Sequence, residues 1–242
     1  MAGFLDATAA RLQHLPASDR PTVVIPSYNG ARKLPLLTPL LALLLAREGL
    51  PVLIHGTATE STRVLRQKCS QPLVYLRKQL LKIANGEVAF VPTALLSPGL
   101  QRLLEVRRVV NLRNPAHSLV KLMNPCVGKS LIVSSYTHPE YAISMAATFA
   151  LTQANALLLR GTEGEAVADP RRTPTMQAFL ERPDLYLAGA PGRPADQPAQ
   201  PAHATGRSHH RSLYSKCDDR RTARTRPIAQ QVAHILQLVE SL

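Results

Sequence analysis

The side chains best suited to chemistry lie in four short segments, 27–33, 55–63, 136–140 and 160–169. The first joins a Ser27-Tyr28-Asn29-Gly30 turn to the basic pair Arg32 and Lys33. Asn-Gly readily takes left-handed turn conformations, and paired cations after a strand suit phosphate oxygens. Arg63, Arg66, Lys68, Arg77, Lys78, Lys82, Arg102, Arg107 and Arg108 extend the same chemistry along the chain. His117, near Arg113, suits either an anion or a plain surface role. His55 reads as a strand-end histidine rather than a catalyst, and His138 precedes Pro139-Glu140 as a helix-start residue. Cys69, Cys126 and Cys217 show no paired spacing, and His209-His210 stand in a low-complexity run, so no metal and no cofactor is expected.

Strands must end where those segments begin. Thr22–Ile25 is a β-branched run stopped by Pro26, and Leu36–Arg47 is almost wholly apolar, which predicts a buried helix. Gly49 caps it and Pro51–Ile54 forms a second strand, completing a βαβ unit. Thr59 or Ser61 could cap a basic helix running to about Cys69. Val88–Val91, Leu131–Ser134 and Ala156–Leu159 read as further strands, separated by helical patterns over 73–84, from Ser97-Pro98, and over His138–Ala154. The expected fold class is α/β, a mainly parallel sheet with helices on both faces, and ligands in such sheets bind beyond the C-terminal strand ends. Gly3–Leu15 predicts an additional helix. The character changes near residue 181, where Pro183, Pro191, Pro194, Pro198 and Pro201 precede an Arg- and His-rich run. Residues 181–226 are therefore expected to be disordered. Residues 227–242 recover an amphipathic helix, with Ile228, Val232, Ile235, Leu236 and Val239 on one side.

Formal net charge is +13, and residues 61–110 alone carry nine basic against two acidic side chains. A concentration of that kind attracts a polyanion, DNA or RNA. With four Phe, six Tyr and no Trp, base-stacking platforms are scarce, which favours backbone-directed, sequence-independent contact. The apolar run Leu34–Ala46 contains Pro35 and Pro39 and stops at Arg47, too short for a membrane span. No signal-peptide pattern opens the chain, so a soluble, cytoplasmic protein with no membrane partner is expected.

Several blocks resemble the anthranilate phosphoribosyltransferase family (glycosyltransferase family 3), and more closely its DNA-binding, TrpD-like branch. They are VVIPSYNGARKLPLLTPLLALLLAREGLPVLIHG at 23–56, FVPTALLSPGLQRLLEVRRVVNLRNPAHSLVKLMNP at 90–125, THPEY at 137–141 and LLLRGTEGEAVADPRR at 157–172. The resemblance implies a phosphoribosyltransferase-like α/β domain over 21–180, with residues 1–20 the remnant of a shortened helical N-terminal domain. It also implies a homodimer through that small domain, weakened here by its shortness. Where active relatives have a glycine-rich pyrophosphate loop, this chain has Pro26, Ser27, Tyr28, Asn29 and Gly30. His55 and Gly56 match the start of a His-Gly-Asn-Arg element, but Thr57 and Ala58 replace its polar pair. The adjacent Asp-Glu pair that holds magnesium is absent, leaving Glu163, Glu165 and Asp169 spaced apart. Arg113 matches the arginine that binds the aromatic acid, though Asn111 and Asn114 replace its neighbours. Arg113 reads equally as an anchor for the Asn124-Pro125 turn.

The favoured reading is nucleic-acid binding through phosphate contacts on a catalytically degenerate scaffold. One alternative is phosphoribosyl transfer from phosphoribosyl pyrophosphate to anthranilate or a related aromatic acceptor. Another is a non-catalytic structural or regulatory module.

Overall fold

A computed structural model describes residues 1–28, 36–57, 72–171, 173–181 and 219–242. Five parallel strands, β1 (Thr22–Ser27), β2 (Val52–Gly56), β3 (Val88–Pro92), β4 (Ser130–Tyr136) and β5 (Ala156–Arg160), form most of one sheet. A sixth strand, β6 (Met176–Phe179), joins antiparallel to β5, giving the order β3-β2-β1-β4-β5-β6. The expected mainly parallel α/β sheet is therefore present. β6 is an addition, since TMQAF offers too short a run to read as a strand beforehand.

Strands buried on both faces need apolar residues at successive positions, and β1 supplies them with Val23, Val24 and Ile25, all fully buried. Their side chains alternate between layers. Val23 and Ile25 pack with Val52, Leu131, Val133 and Leu159 on the face covered by α2 (Thr38–Arg47) and α9 (Asp219–Glu240). Val24, Leu53, Ala89 and Val91 face the opposite layer, which contains α3 (Pro72–Ala84) and α5 (Pro98–Glu105). On that side Ile132, Ala156 and Leu158 pack with Met145 and Phe149 of α8 (Pro139–Leu151).

Helix boundaries follow local chemistry. Ser97 accepts from the Leu100 amide at 3.4 Å and starts α5 with Pro98 in its first turn, as the sequence predicts. The segment is nonetheless broken into α4 (Thr93–Leu96), α5 and α6 (Arg107–Val110), followed by α7 (Ala116–Leu119). His138 and Pro139 begin α8 as expected. The helix expected over 3–15 is shorter, α1 being Ala2–Ala9. Beyond it the chain extends so that the Leu15 amide donates to the Pro125 carbonyl at 2.7 Å, and Leu15 buries itself beside Cys126. The C-terminal helix begins at Asp219, ahead of the expected 227, and carries Pro227 inside it. Residues 182–218, most of the stretch expected to be disordered, lie outside the described residues, as does the helix expected after Thr59. No helix among the described residues is long and apolar enough to cross a membrane.

A buried polar contact fastens α9 to the loop that follows β5. The buried Gln231 amide donates to the Ala166 carbonyl at 2.9 Å and accepts from the Ala168 amide at 2.7 Å. Replacing Gln231 with leucine keeps the volume but strands both backbone groups, each costing about 1–3 kcal/mol when left unpaired. Gln231→Leu is expected to lower the urea midpoint of unfolding with an unchanged slope. An unaltered midpoint would show that the contact carries no stability.

Candidate functional site

The C-terminal strand ends lie side by side, because the register pairs Ser27 with Gly56 and Gly56 with Pro92. Gly56 is required by that approach: a Cβ there would collide with the Ser27 carbonyl oxygen. Just past Ser27, Tyr28 turns inward and is buried. Its hydroxyl lies 2.9 Å from His55 Nδ1 and 2.9 Å from Thr93 Oγ1, with the two rings edge-on at 5.6 Å. Burial holds His55 neutral, with its pKa lowered to about 3 against an opposing contact from the Met123 backbone. Burial also raises the Tyr28 phenol, which Thr93 partly counters. His55 thus belongs to a buried polar plug with Tyr28 and Thr93, beside the buried Ser27 and Gly56 at the strand ends. Asn29, Gly30, Arg32 and Lys33 lie outside the described residues, as do Arg63, Arg66 and Lys68.

The acidic segment after β5 is engaged in structure. Glu163 and Gly164 take positive φ of 51° and 93°, folding the chain back so that Thr162 and Glu165 bridge. Glu165 is buried, and its Oε2 accepts from the Leu37 amide at 2.9 Å, the Thr38 amide at 2.7 Å and the Thr38 hydroxyl at 2.7 Å. A carboxylate from a distant loop thereby caps α2, where helix N-terminal amides and the helix dipole favour negative charge. Glu165 Oε1 is buried with no partner. Asp169 holds Arg171 through both oxygens, at 2.9 and 2.8 Å. Among the described residues, no group of three or more His, Cys, Asp or Glu could hold a metal.

A cleft of about 530 Å³ opens between the α7 region and the end of β4. Arg113, His117 and Lys121 line one wall, and Ser135, Tyr136 and His138 line the other. Asn114 shapes the first wall, its side chain accepting from the Ala116 amide at 3.0 Å and donating to the Leu103 carbonyl at 2.6 Å. Lys121 Nζ donates to the Ser135 carbonyl at 3.1 Å, and the Ser134 hydroxyl donates to the Lys121 carbonyl at 2.7 Å. Burial, then the charge of Arg113, lowers the Lys121 pKa to about 8. Burial likewise lowers His117, opposed by the Asn114 backbone and reinforced by Arg113 and Arg107. Arg113 and His117 meet here, as their spacing in the sequence suggests. Lys121 escapes a reading of motifs, although a lysine flanked by the buried Val120 and Leu122 signals an amine held near the core. Elsewhere, Arg77, Lys78 and Lys82 on α3 and Arg102 and Arg108 on α5–α6 are exposed, while Arg107 is half-buried.

This sheet and its helical layers match solved structures. The chain superposes on anthranilate phosphoribosyltransferase (TrpD) from Thermus thermophilus with a TM-score of 0.50 at 20% identity, over 74% of this chain and 57% of that one. The fold is that of an anthranilate phosphoribosyltransferase. The Saccharomyces cerevisiae enzyme in complex with 4-fluoroanthranilate gives 0.51 at 12% identity, over 74% and 50% of the two chains. In sequence, the chain is 40% identical over 182 residues to YbiB of Escherichia coli (strain K12), covering 72% of this chain and 57% of YbiB. The chain thus spans little more than half the length of these relatives. No protein-family model matches it.

The plug makes stability pH-dependent. Unfolded, His55 takes up a proton near its ordinary pKa of about 6.5. Folded, it resists protonation down to about 3, so the unfolded state binds more protons and stability falls as pH drops below 6.5. The loss from this group between pH 7 and 5, where most carboxylates remain ionised, is about 2 kcal/mol. Chemical denaturation of His55→Gln is expected to show a shallower acid slope than the parent. Identical slopes would mean that His55 is not held neutral.

Proposed function

We propose that this chain binds nucleic acid through phosphate contacts, on a TrpD-like scaffold that no longer transfers phosphoribosyl groups. The observation that carries this reading is the exposed basic series on one layer of the fold, Arg77, Lys78 and Lys82 of α3 with Arg102 and Arg108 of α5–α6. Helix α3 contains no acidic residue, so its outward charges are not neutralised along the helix. Phosphate-directed side chains of this kind position a polyanion without reading its sequence. Two features argue against transfer chemistry: Tyr28 fills the end of β1, and Glu165 Oε2 and both Asp169 oxygens are spent on α2 and Arg171. A dimer and a cytoplasmic location are part of the same proposal, the first resting on the sequence resemblance and the second on cysteines without paired spacing.

Phosphoribosyl transfer to anthranilate or a related aromatic acid is the second reading. The fold itself favours it, since a Saccharomyces cerevisiae anthranilate phosphoribosyltransferase solved with PRPP and Mg superposes at a TM-score of 0.50. The unpartnered Glu165 Oε1 is the local feature that supports it.

Fluorescence anisotropy with duplex DNA tests the first reading. Binding is expected to weaken steeply with salt, with a log–log slope of about −0.9 per phosphate contacted. The triple change Arg77→Glu, Lys78→Glu and Lys82→Glu is expected to weaken binding and flatten that slope. A salt-independent response, or none at low salt, sinks the proposal. Phosphoribosyl-anthranilate formed above blank with Mg²⁺, and lost in Arg113→Ala, would establish the second reading.

A further inference from the structure

We propose that Lys121 is a carbonyl-reactive lysine, and that the β4-end cleft admits a small anionic aldehyde or ketone which condenses with its amine. This inference stands apart from nucleic-acid binding, which uses a different surface. Among the described residues, the cleft lining contains Arg113, His117 and Lys121 and no carboxylate, so its walls carry positive charge. Lys121 is the single lysine of that lining, and the bond from Nζ to the Ser135 carbonyl holds the amine at the end of β4 instead of leaving it to sweep through solvent. Lys78, Lys82 and Lys129 are exposed and have no such anchor in the cleft.

The chemistry requires a neutral amine, an activated carbonyl and a place for one proton. Shielding and the Arg113 charge bring Lys121 to a pKa of about 8, leaving a usable neutral fraction near pH 7. Met1, Tyr28, Tyr136, His138 and Tyr141 also line the cleft, and none of these side chains is a carboxylate. The amine nitrogen adds to the carbonyl carbon, its proton passes to the carbonyl oxygen, and the carbinolamine loses water to give an imine. His117, kept neutral by burial, is the lining base suited to relaying that proton. No oxidant or reductant is consumed. Arg113 supplies the charge that retains the anionic end of the ligand while this occurs.

Pyridoxal 5′-phosphate serves as the probe, with unphosphorylated pyridoxal as the neutral control. The full chain is incubated with each, reduced with borohydride and digested, and the adducts are mapped by mass spectrometry. Lys121 is expected to be the dominant site, ahead of Lys78, Lys82 and Lys129, with labelling rising through a midpoint near pH 8. Phosphorylated probe is expected to label it about tenfold more efficiently than pyridoxal, and Arg113→Ala to erase most of that preference. Lys121→Arg, which keeps the cation and is checked for folding by circular dichroism, is expected to lose the cleft adduct alone. Labelling that follows exposure, with Lys121 unmodified in folded protein, overturns the proposal. Equal labelling by both probes overturns its anionic specificity. DNA binding by Lys121→Arg is read in parallel, so that failure here is distinguished from failure of the nucleic-acid reading.

Discussion

Glu165 is buried, yet it reaches the first turn of α2 and gathers three donors onto one oxygen. Those amides have no partner within the helix, and a helix that starts inside a packed layer must find acceptors elsewhere. The loop carrying Glu165 is itself constrained. A Cβ on Gly161 would strike the Glu165 carbonyl oxygen and the Ser135 side chain, and Gly164 needs its positive φ. The Ser135 hydroxyl donates to the Gly164 carbonyl, which ties this loop to the end of β4 and to the cleft beyond. One carboxylate therefore couples the placement of α2, the turn after β5 and the wall against which Lys121 rests.

The sheet was largely legible in the sequence because parallel strands buried on both faces leave continuous apolar runs. TVVI, PVLI, LIV and ALLL each surfaced as β1, β2, β4 and β5. Helix starts were legible where the signal is local, as in the Ser97 cap of α5 and Pro139 in the first turn of α8. Contacts joining distant residues were not. Nothing near Thr38 announces that its cap lies at Glu165, and nothing near Gln231 announces that it bonds to Ala166 and Ala168. The same holds for Tyr28, whose turn-like neighbours suggest exposure although its hydroxyl is claimed by His55 and Thr93. The basic surface was visible by counting charges, while the cleft needed the approach of α7 to β4.

The two charged regions differ in physical kind. On α3 the cations stand in solvent, where salt screens them and their reach is set by the Debye length. In the cleft, burial is the main cause that lowers the Lys121 pKa, and the charge of the neighbouring Arg113 adds to it. A long polymer suits the first environment and a small compact anion the second.

Helix α9 closes the face of the sheet formed by Val23, Ile25, Val52, Leu131, Val133 and Leu159, placing Ile228, Ile235 and Val239 upon it. Its residues follow all six described strands in chain order. During synthesis the strands emerge first, and this greasy layer waits for the helix that covers it. Contacts between such remote positions also slow closure, because loop entropy must be overcome before they form. The nascent chain consequently passes through a stage in which the part of this face that α2 leaves uncovered is open, a surface of the kind that chaperones bind and that invites misassembly.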